Sequence, residues 1–109
     1  MENDIEKLAS DFQRMQSQYQ MVLVQKHQLQ LQAEESKLAL EELKTAKGKV
    51  YKNVGGILLE SDKDSLSKEL AERQESIEIR LRSLAQQEER LKPTLDEMKK
   101  KLESLLGAG

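Results

Sequence analysis

The chain has 109 residues, of which 35% are charged and only 3% aromatic, and its net charge at pH 7 is −2. A hydrophobic content of 37% is low for a multilayered globular core, and no cysteine is present to form a disulfide or a thiolate metal site. The slightly acidic charge balance does not favour nucleic acid as a partner. These totals are typical of one structural unit built from coiled-coil helices.

Residues 3–47 are predicted to form the first long helix. Apolar residues recur along it at alternating steps of three and four, the spacing of a coiled-coil seam. Its twelve seam positions are Ile5, Leu8, Phe12, Met15, Tyr19, Val22, Lys26, Leu29, Ala33, Ser36, Leu40 and Leu43. Because so narrow an apolar stripe does not stabilise a helix in water, this helix needs a partner.

Residues 62–106 are predicted to form the second helix, with Ser61 as its N-cap and residues 107–109 as a tail. Its seam positions are Leu66, Leu70, Arg73, Ile77, Leu81, Leu84, Glu88, Leu91, Leu95, Met98, Leu102 and Leu105. Two consecutive four-residue steps between Arg73 and Leu81 predict a stutter in the heptad pattern. Pro93 lies off the seam, which favours a kinked but continuous helix over a break.

Residues 49–60 interrupt the helical pattern with two short apolar runs around Gly55-Gly56, which predicts a β-hairpin. A loop at Gly55-Gly56 and a loop at Val54-Gly55 are both compatible with the sequence. The fold class expected is therefore mainly α, a long antiparallel two-helix coiled coil with a central β-hairpin. Residues whose numbers add up to about 109 should face each other, so no salt bridge is expected between Lys26 and Glu88.

The hairpin has too much apolar surface for one chain to cover. Neighbouring apolar residues point to both faces of the ribbon, and an isolated two-stranded hairpin is marginal in water. Several chains are therefore expected to pool their hairpins into a barrel or sheet. The predicted oligomerisation residues are Val50, Tyr51, Val54, Ile57, Leu58 and Leu59.

The far end of the predicted helix pair has a second apolar surface. Two helices cover such side chains only by half, and exposed apolar surface often marks a binding site. Methionine and phenylalanine side chains suit a binding site that adapts to partners of different shape. The predicted binding residues, which we call the tip cluster, are Ile5, Leu8, Phe12, Met15, Met98, Leu102, Leu105 and Leu106.

Four segments carry a resemblance to a known family. They are Val50-Tyr51-Lys52, Gly56-Ile57-Leu58-Leu59, Lys68-Glu69-Leu70 and Gln87-Glu88-Glu89-Arg90-Leu91. In these segments, and in its helix–hairpin–helix order, the chain is similar to the beta class of the prefoldin family, of archaeal type. A single hairpin in a short chain resembles the beta class rather than the alpha class, whose longer insert has two hairpins. Pro93 is a departure from the family pattern.

The resemblance implies a cytoplasmic hexamer of two alpha and four beta subunits, in which the hairpins form a double β-barrel and the coiled coils extend from it. The implied partners are a prefoldin alpha subunit, other copies of this chain, unfolded client proteins and a group II chaperonin. Clients would be held at the distal coiled-coil ends and transferred without nucleotide.

No constellation for catalysis is present. His27 has no ligand neighbours at helical spacing, and Gly55-Gly56 lacks the residues of a phosphate-binding loop. We therefore expect no enzyme activity, metal or cofactor. No apolar run approaches the ~20 residues of a membrane helix and the acidic N-terminus lacks a signal core, so a soluble cytoplasmic protein is expected, without membrane or nucleic acid as partner.

Two functions remain open on the sequence. The first is a chaperone subunit, a holdase that binds unfolded chains at the tip cluster. The alternative is a structural coiled-coil adaptor that bridges folded partners. Both require the seam, so only an assay with denatured client separates them.

Overall fold

The computed structural model describes residues 2–107 and is mainly α-helical. In chain order it contains helix α1 (Glu2–Thr45), strand β1 (Val50–Val54), strand β2 (Ile57–Ser61) and helix α2 (Lys63–Leu105). The two strands form one antiparallel sheet. The predicted fold class, two long helices with a central β-hairpin, is confirmed. Ala108 and Gly109, most of the predicted tail, lie outside the described residues.

The chain divides into two compact units, each with its own small core. We call Met1–His27 together with Arg82–Gly109 the terminal unit, and Gln28–Leu81 the hairpin unit. Val22, Leu84 and Leu95 are buried in the terminal unit. Leu43 and Ile77 are buried in the hairpin unit. In both units the buried residues are seam residues, so helix pairing is what forms the core.

The predicted seam of α1 matches the burial of its side chains. All twelve seam residues are buried or half-buried, including the polar Lys26 and Ser36. Four other large apolar residues of α1 are exposed, by 53 to 61%: Met21, Val24, Leu31 and Leu38. Burial on α1 therefore follows the alternating three- and four-residue spacing rather than hydrophobicity alone.

The seam of α2 differs from the prediction at one position in the hairpin unit. Arg73 is exposed, whereas Gln74 is half-buried. From Leu70 through Gln74 and Ile77 to Leu81 the steps are four, three and four, so the stutter is not at its predicted place between Arg73 and Leu81. Leu66 and Ser67 are both half-buried, and the steps from Leu66 through Leu70 to Gln74 are both four. Packing along the seam places Gln74 inward despite the unfavourable burial of its amide group.

Pro93 lies inside a continuous α2, which confirms a continuous helix over a break, whereas the kink stays a prediction. Its ring is exposed, and Leu95, two residues later, is only 8% exposed. Proline has no N–H to donate to the preceding turn. The hydroxyl of Thr94 donates to the carbonyl of Arg90 at 3.1 Å, which places an additional donor in that turn.

The N-cap of α2 is Asp62, and the predicted cap at Ser61 is wrong. The backbone N–H of Ser65 donates to Asp62 Oδ1 at 2.8 Å. This hydrogen bond lowers the pKa of the Asp62 carboxyl, because it favours the charged form. Ser61 is instead the last residue of β2, where it pairs with Val50. Both residue types cap helices well, so the hairpin register decides between them.

Neither helix contains a segment long and apolar enough to cross a membrane within the described residues 2–107.

Candidate protein-binding surfaces

The hairpin turns at Gly55-Gly56, which selects one of the two loops that the sequence allowed. Val54 pairs with Ile57 across the turn. The φ angles of Gly55 and Gly56 are +58° and +89°, the values of a type I′ turn, which requires positive φ at both central residues. The backbone N–H of Gly56 also donates to Asn53 Oδ1 at 3.0 Å. The two glycines and the asparagine together fix the register of the strands.

The hairpin exposes five of its six predicted oligomerisation residues. Paired residues share a face of the ribbon, so Val54, Ile57 and Leu59 lie on one face and Leu58 on the other. The exposed fractions are 52% for Tyr51, 48% for Val54, 65% for Ile57, 67% for Leu58 and 51% for Leu59. Val50, at the base of the ribbon, is half-buried. Apolar surface on both faces is typical of a site that another protein covers.

Both outer edges of this sheet are open among the described residues, because the sheet has only the strands β1 and β2. Each outer edge presents backbone N–H and C=O groups at the spacing of another strand. The geometry therefore permits strand addition at either edge, together with side-chain packing on either face.

Two polar contacts lie near the base of the hairpin. Lys52 forms an ion pair with Glu69 of α2. Lys63 Nζ donates to the backbone carbonyl of Lys44 at 3.0 Å, next to the C-terminus of α1, where a positive charge is favourable. The first contact ties β1 to α2, the second joins the two helix ends, and neither covers the apolar side chains of the ribbon.

The tip cluster lies in the terminal unit and is only partly covered. Leu105 is 48% exposed and Leu106 is 70% exposed. The remaining six members are half-buried: Ile5, Leu8, Phe12, Met15, Met98 and Leu102. The cluster thus combines side chains that face the partner helix with leucines that face solvent.

The terminal unit also contains an ion pair that the sequence analysis did not expect. Lys26 Nζ lies 2.7 Å from Glu88 Oε2, and the two side chains are 29% and 26% exposed. The predicted offset between facing residues is wrong in this unit. Met15 and Met98 line one cavity, and Val22 and Leu91 line one groove, so the numbers of facing residues add up to about 113, close to the sum for Lys26 and Glu88. Two polar seam residues thereby satisfy each other.

Comparison with known proteins agrees with this geometry. A family model described as "Prefoldin subunit" matches residues 6–109. The chain is similar to prefoldin subunit beta of Archaeoglobus fulgidus, with 46% identity over 57 residues, or 52% of this chain and 49% of that protein. Prefoldin subunit beta of Methanothrix thermoacetophila is 43% identical over 58 residues, or 53% of this chain and 48% of that protein. The alignments thus span about half the length of these curated relatives.

The similarity to a solved structure extends over more of the chain. The crystal structure of the prefoldin beta subunit from Thermococcus strain KS-1 superimposes with a TM-score of 0.79 at 33% identity. That match covers 95% of this chain and 93% of the other. On the family match over residues 6–109 and this shared fold, the chain belongs to the prefoldin subunit family, and it resembles the family's beta subunits.

Proposed function

We propose that the chain is a molecular chaperone (holdase) subunit, which binds non-native polypeptides at the tip cluster and passes them to a group II chaperonin without ATP. The observation that supports this proposal is the partial exposure of the tip cluster, up to 70% at Leu106. Half-covered leucine, phenylalanine and methionine side chains favour contact with varied apolar segments, because they bind by area and adapt their rotamers.

The proposal includes an assembly through the hairpins. The exposed apolar ribbon and its two open edges support burial against other subunits, in a hexamer of two alpha and four beta subunits. Copies of this chain and a prefoldin alpha subunit are the proposed partners, and the cytoplasm is the proposed location.

The experiment is an aggregation assay with a chemically denatured client, diluted into the assembled protein and followed by light scattering. The test variant carries Leu105→Ser and Leu106→Ser. The control carries Leu31→Ser and Leu38→Ser, two leucines of α1 that are 54% and 53% exposed. Both pairs remove similar apolar area from solvent-facing positions, so they differ in location rather than in chemistry.

We expect the test variant to lose most of the protection and the control to retain it, with the solution mass of both assemblies unchanged. Equal protection by the two variants would contradict client binding at the tip cluster. If the unaltered protein gives no protection at any ratio to client, the holdase proposal fails and the structural adaptor is favoured.

A further inference from the structure

One side of the terminal unit has a groove that extends beyond the tip cluster. Its volume is about 600 Å³, and its apolar lining includes Met15, Met21, Val22 and Leu91. Two of these side chains are methionines, whose unbranched thioethers adapt to partners of different shape. Met21 is 61% exposed, so a ligand in the groove would contact it directly.

A second cavity continues the groove along the same helices. It has a volume of about 440 Å³, shares Met15 and Gln18 with the groove, and adds Met98. On α1 the lining extends from Asp11 to Gln25, which corresponds to about 21 Å of helix. An extended peptide advances about 3.3 Å per residue, so the groove matches a segment of about six residues.

Amide side chains line the groove beside its apolar residues. Gln18 and Gln25 are contributed by α1, seven residues apart on one face, and Gln87 is contributed by α2. A glutamine amide both donates and accepts hydrogen bonds. Such groups are suited to the backbone N–H and C=O of an extended peptide, which are the same for every sequence. The lining therefore favours a bound polypeptide without requiring a particular sequence.

Arg90 gives the groove a positive charge. Among residues 2–107, the ion pairs are Arg14–Asp11, Lys26–Glu88, Lys49–Glu60 and Lys52–Glu69, and none includes Arg90. Arg14 at the adjoining cavity, by contrast, is already paired with Asp11 at 2.9 Å. An acidic residue in a bound segment would complement the Arg90 guanidinium.

We propose that this groove binds an extended segment of non-native polypeptide, with apolar side chains on Met15, Met21 and Leu91 and an acidic side chain at Arg90. This inference rests on the proposed holdase function and identifies the class of segment that is held. It adds Gln18, Met21, Gln25, Gln87 and Arg90 to the binding surface, residues that the hydrophobic pattern alone did not select.

The experiment measures fluorescence anisotropy of two labelled eight-residue peptides, rich in leucine, methionine and serine, that differ by one glutamate or lysine at the centre. The protein is the full chain in its assembled form. The first variant carries Gln18→Ala and Gln25→Ala, and its control carries Gln20→Ala and Gln30→Ala, which are exposed positions of α1 outside the groove. A further variant, Arg90→Gln, is matched by Arg82→Gln, an exposed arginine of α2 outside the groove.

We expect the Gln18/Gln25 variant to weaken both peptides about fivefold or more, because two hydrogen-bonding side chains are removed. The unaltered protein should bind the glutamate peptide about two- to fivefold more tightly than the lysine peptide. Arg90→Gln should abolish that preference, and the two control variants should bind as the unaltered protein does.

Unchanged peptide binding by the Gln18/Gln25 variant would contradict the groove as a peptide-binding site. A preference for the glutamate peptide that survives Arg90→Gln would contradict Arg90 as the partner of the acidic side chain. The Leu105→Ser/Leu106→Ser variant separates this failure from that of the holdase proposal. If that variant loses client protection while the groove variants keep it, the holdase proposal is supported and the proposal of peptide binding in the groove is wrong. If the unaltered protein neither protects a client nor binds either peptide, both proposals fail.

Discussion

The hairpin unit and the terminal unit leave apolar surface uncovered in different ways. In the hairpin unit, Ile57 and Leu58 are 65% and 67% exposed on a ribbon whose register a tight turn fixes. In the terminal unit, most members of the tip cluster are half-buried against the partner helix. The apolar surface of the hairpin has a fixed strand register and is mostly exposed. The tip cluster is partly covered and contains flexible methionine and leucine side chains.

The difference is consistent with the proposal of two kinds of partner. A ribbon with a fixed register and open edges suits a permanent neighbour of matching shape, because backbone pairing needs exact alignment. Leucine and methionine side chains that already share a seam gain less area per contact but adapt to many shapes. This contrast supports our proposal of stable assembly through the hairpin unit and transient polypeptide binding at the terminal unit.

The largest effect that tests this division is loss of assembly on Leu58→Asp. Leu58 is 67% exposed, so the aspartate fits the isolated chain, but a charge buried at a subunit contact is strongly unfavourable. We expect a lower solution mass by light scattering with unchanged helical circular dichroism. The control is Leu38→Asp on α1, at 53% exposure in the same unit. An equal drop in mass for both variants, or none for Leu58→Asp, would contradict the assignment.

A smaller effect is expected from the seam ion pair of the terminal unit. Glu88→Ala leaves Lys26 partly buried without its carboxylate, which should lower the free energy of unfolding by about 1–2 kcal/mol. Lys52→Met breaks the more exposed Lys52–Glu69 pair of the hairpin unit and should change the free energy of unfolding by less than about 1 kcal/mol. Urea unfolding measures the free energy of unfolding of both variants. A larger decrease for Lys52→Met than for Glu88→Ala would contradict this ranking.

The smallest effect concerns the seam of the hairpin unit. Gln74 Oε1 is buried and accepts no hydrogen bond within the described part of the chain. Gln74→Leu should therefore raise the free energy of unfolding by about 1 kcal/mol. Arg73→Leu should have little effect because Arg73 is exposed. Urea midpoints in the opposite order would indicate that the seam passes through Arg73.

The helices and the hairpin could be predicted because apolar spacing and a glycine pair are local signals in the sequence. Gln74 and the Lys26–Glu88 pair could not be predicted, since both depend on how two distant segments of the chain pack and on the offset between facing residues. The choice of Asp62 over Ser61 as helix cap follows from the strand register, which the sequence left open between two loops. The tip cluster was selected by hydrophobicity, whereas the groove beside it depends on glutamines that a hydrophobic pattern treats as solvent-facing.

The solution mass of the full chain, alone and mixed with a prefoldin alpha-class subunit, tests the central claim most directly. The claim is that the hairpin of one chain is incomplete and is covered by other subunits. A hexameric mass on mixing is the predicted result, and Leu58→Asp should prevent it. A monomer under both conditions would mean that the exposed ribbon needs no partner, which would contradict the division of the molecule into an assembly surface and a binding surface.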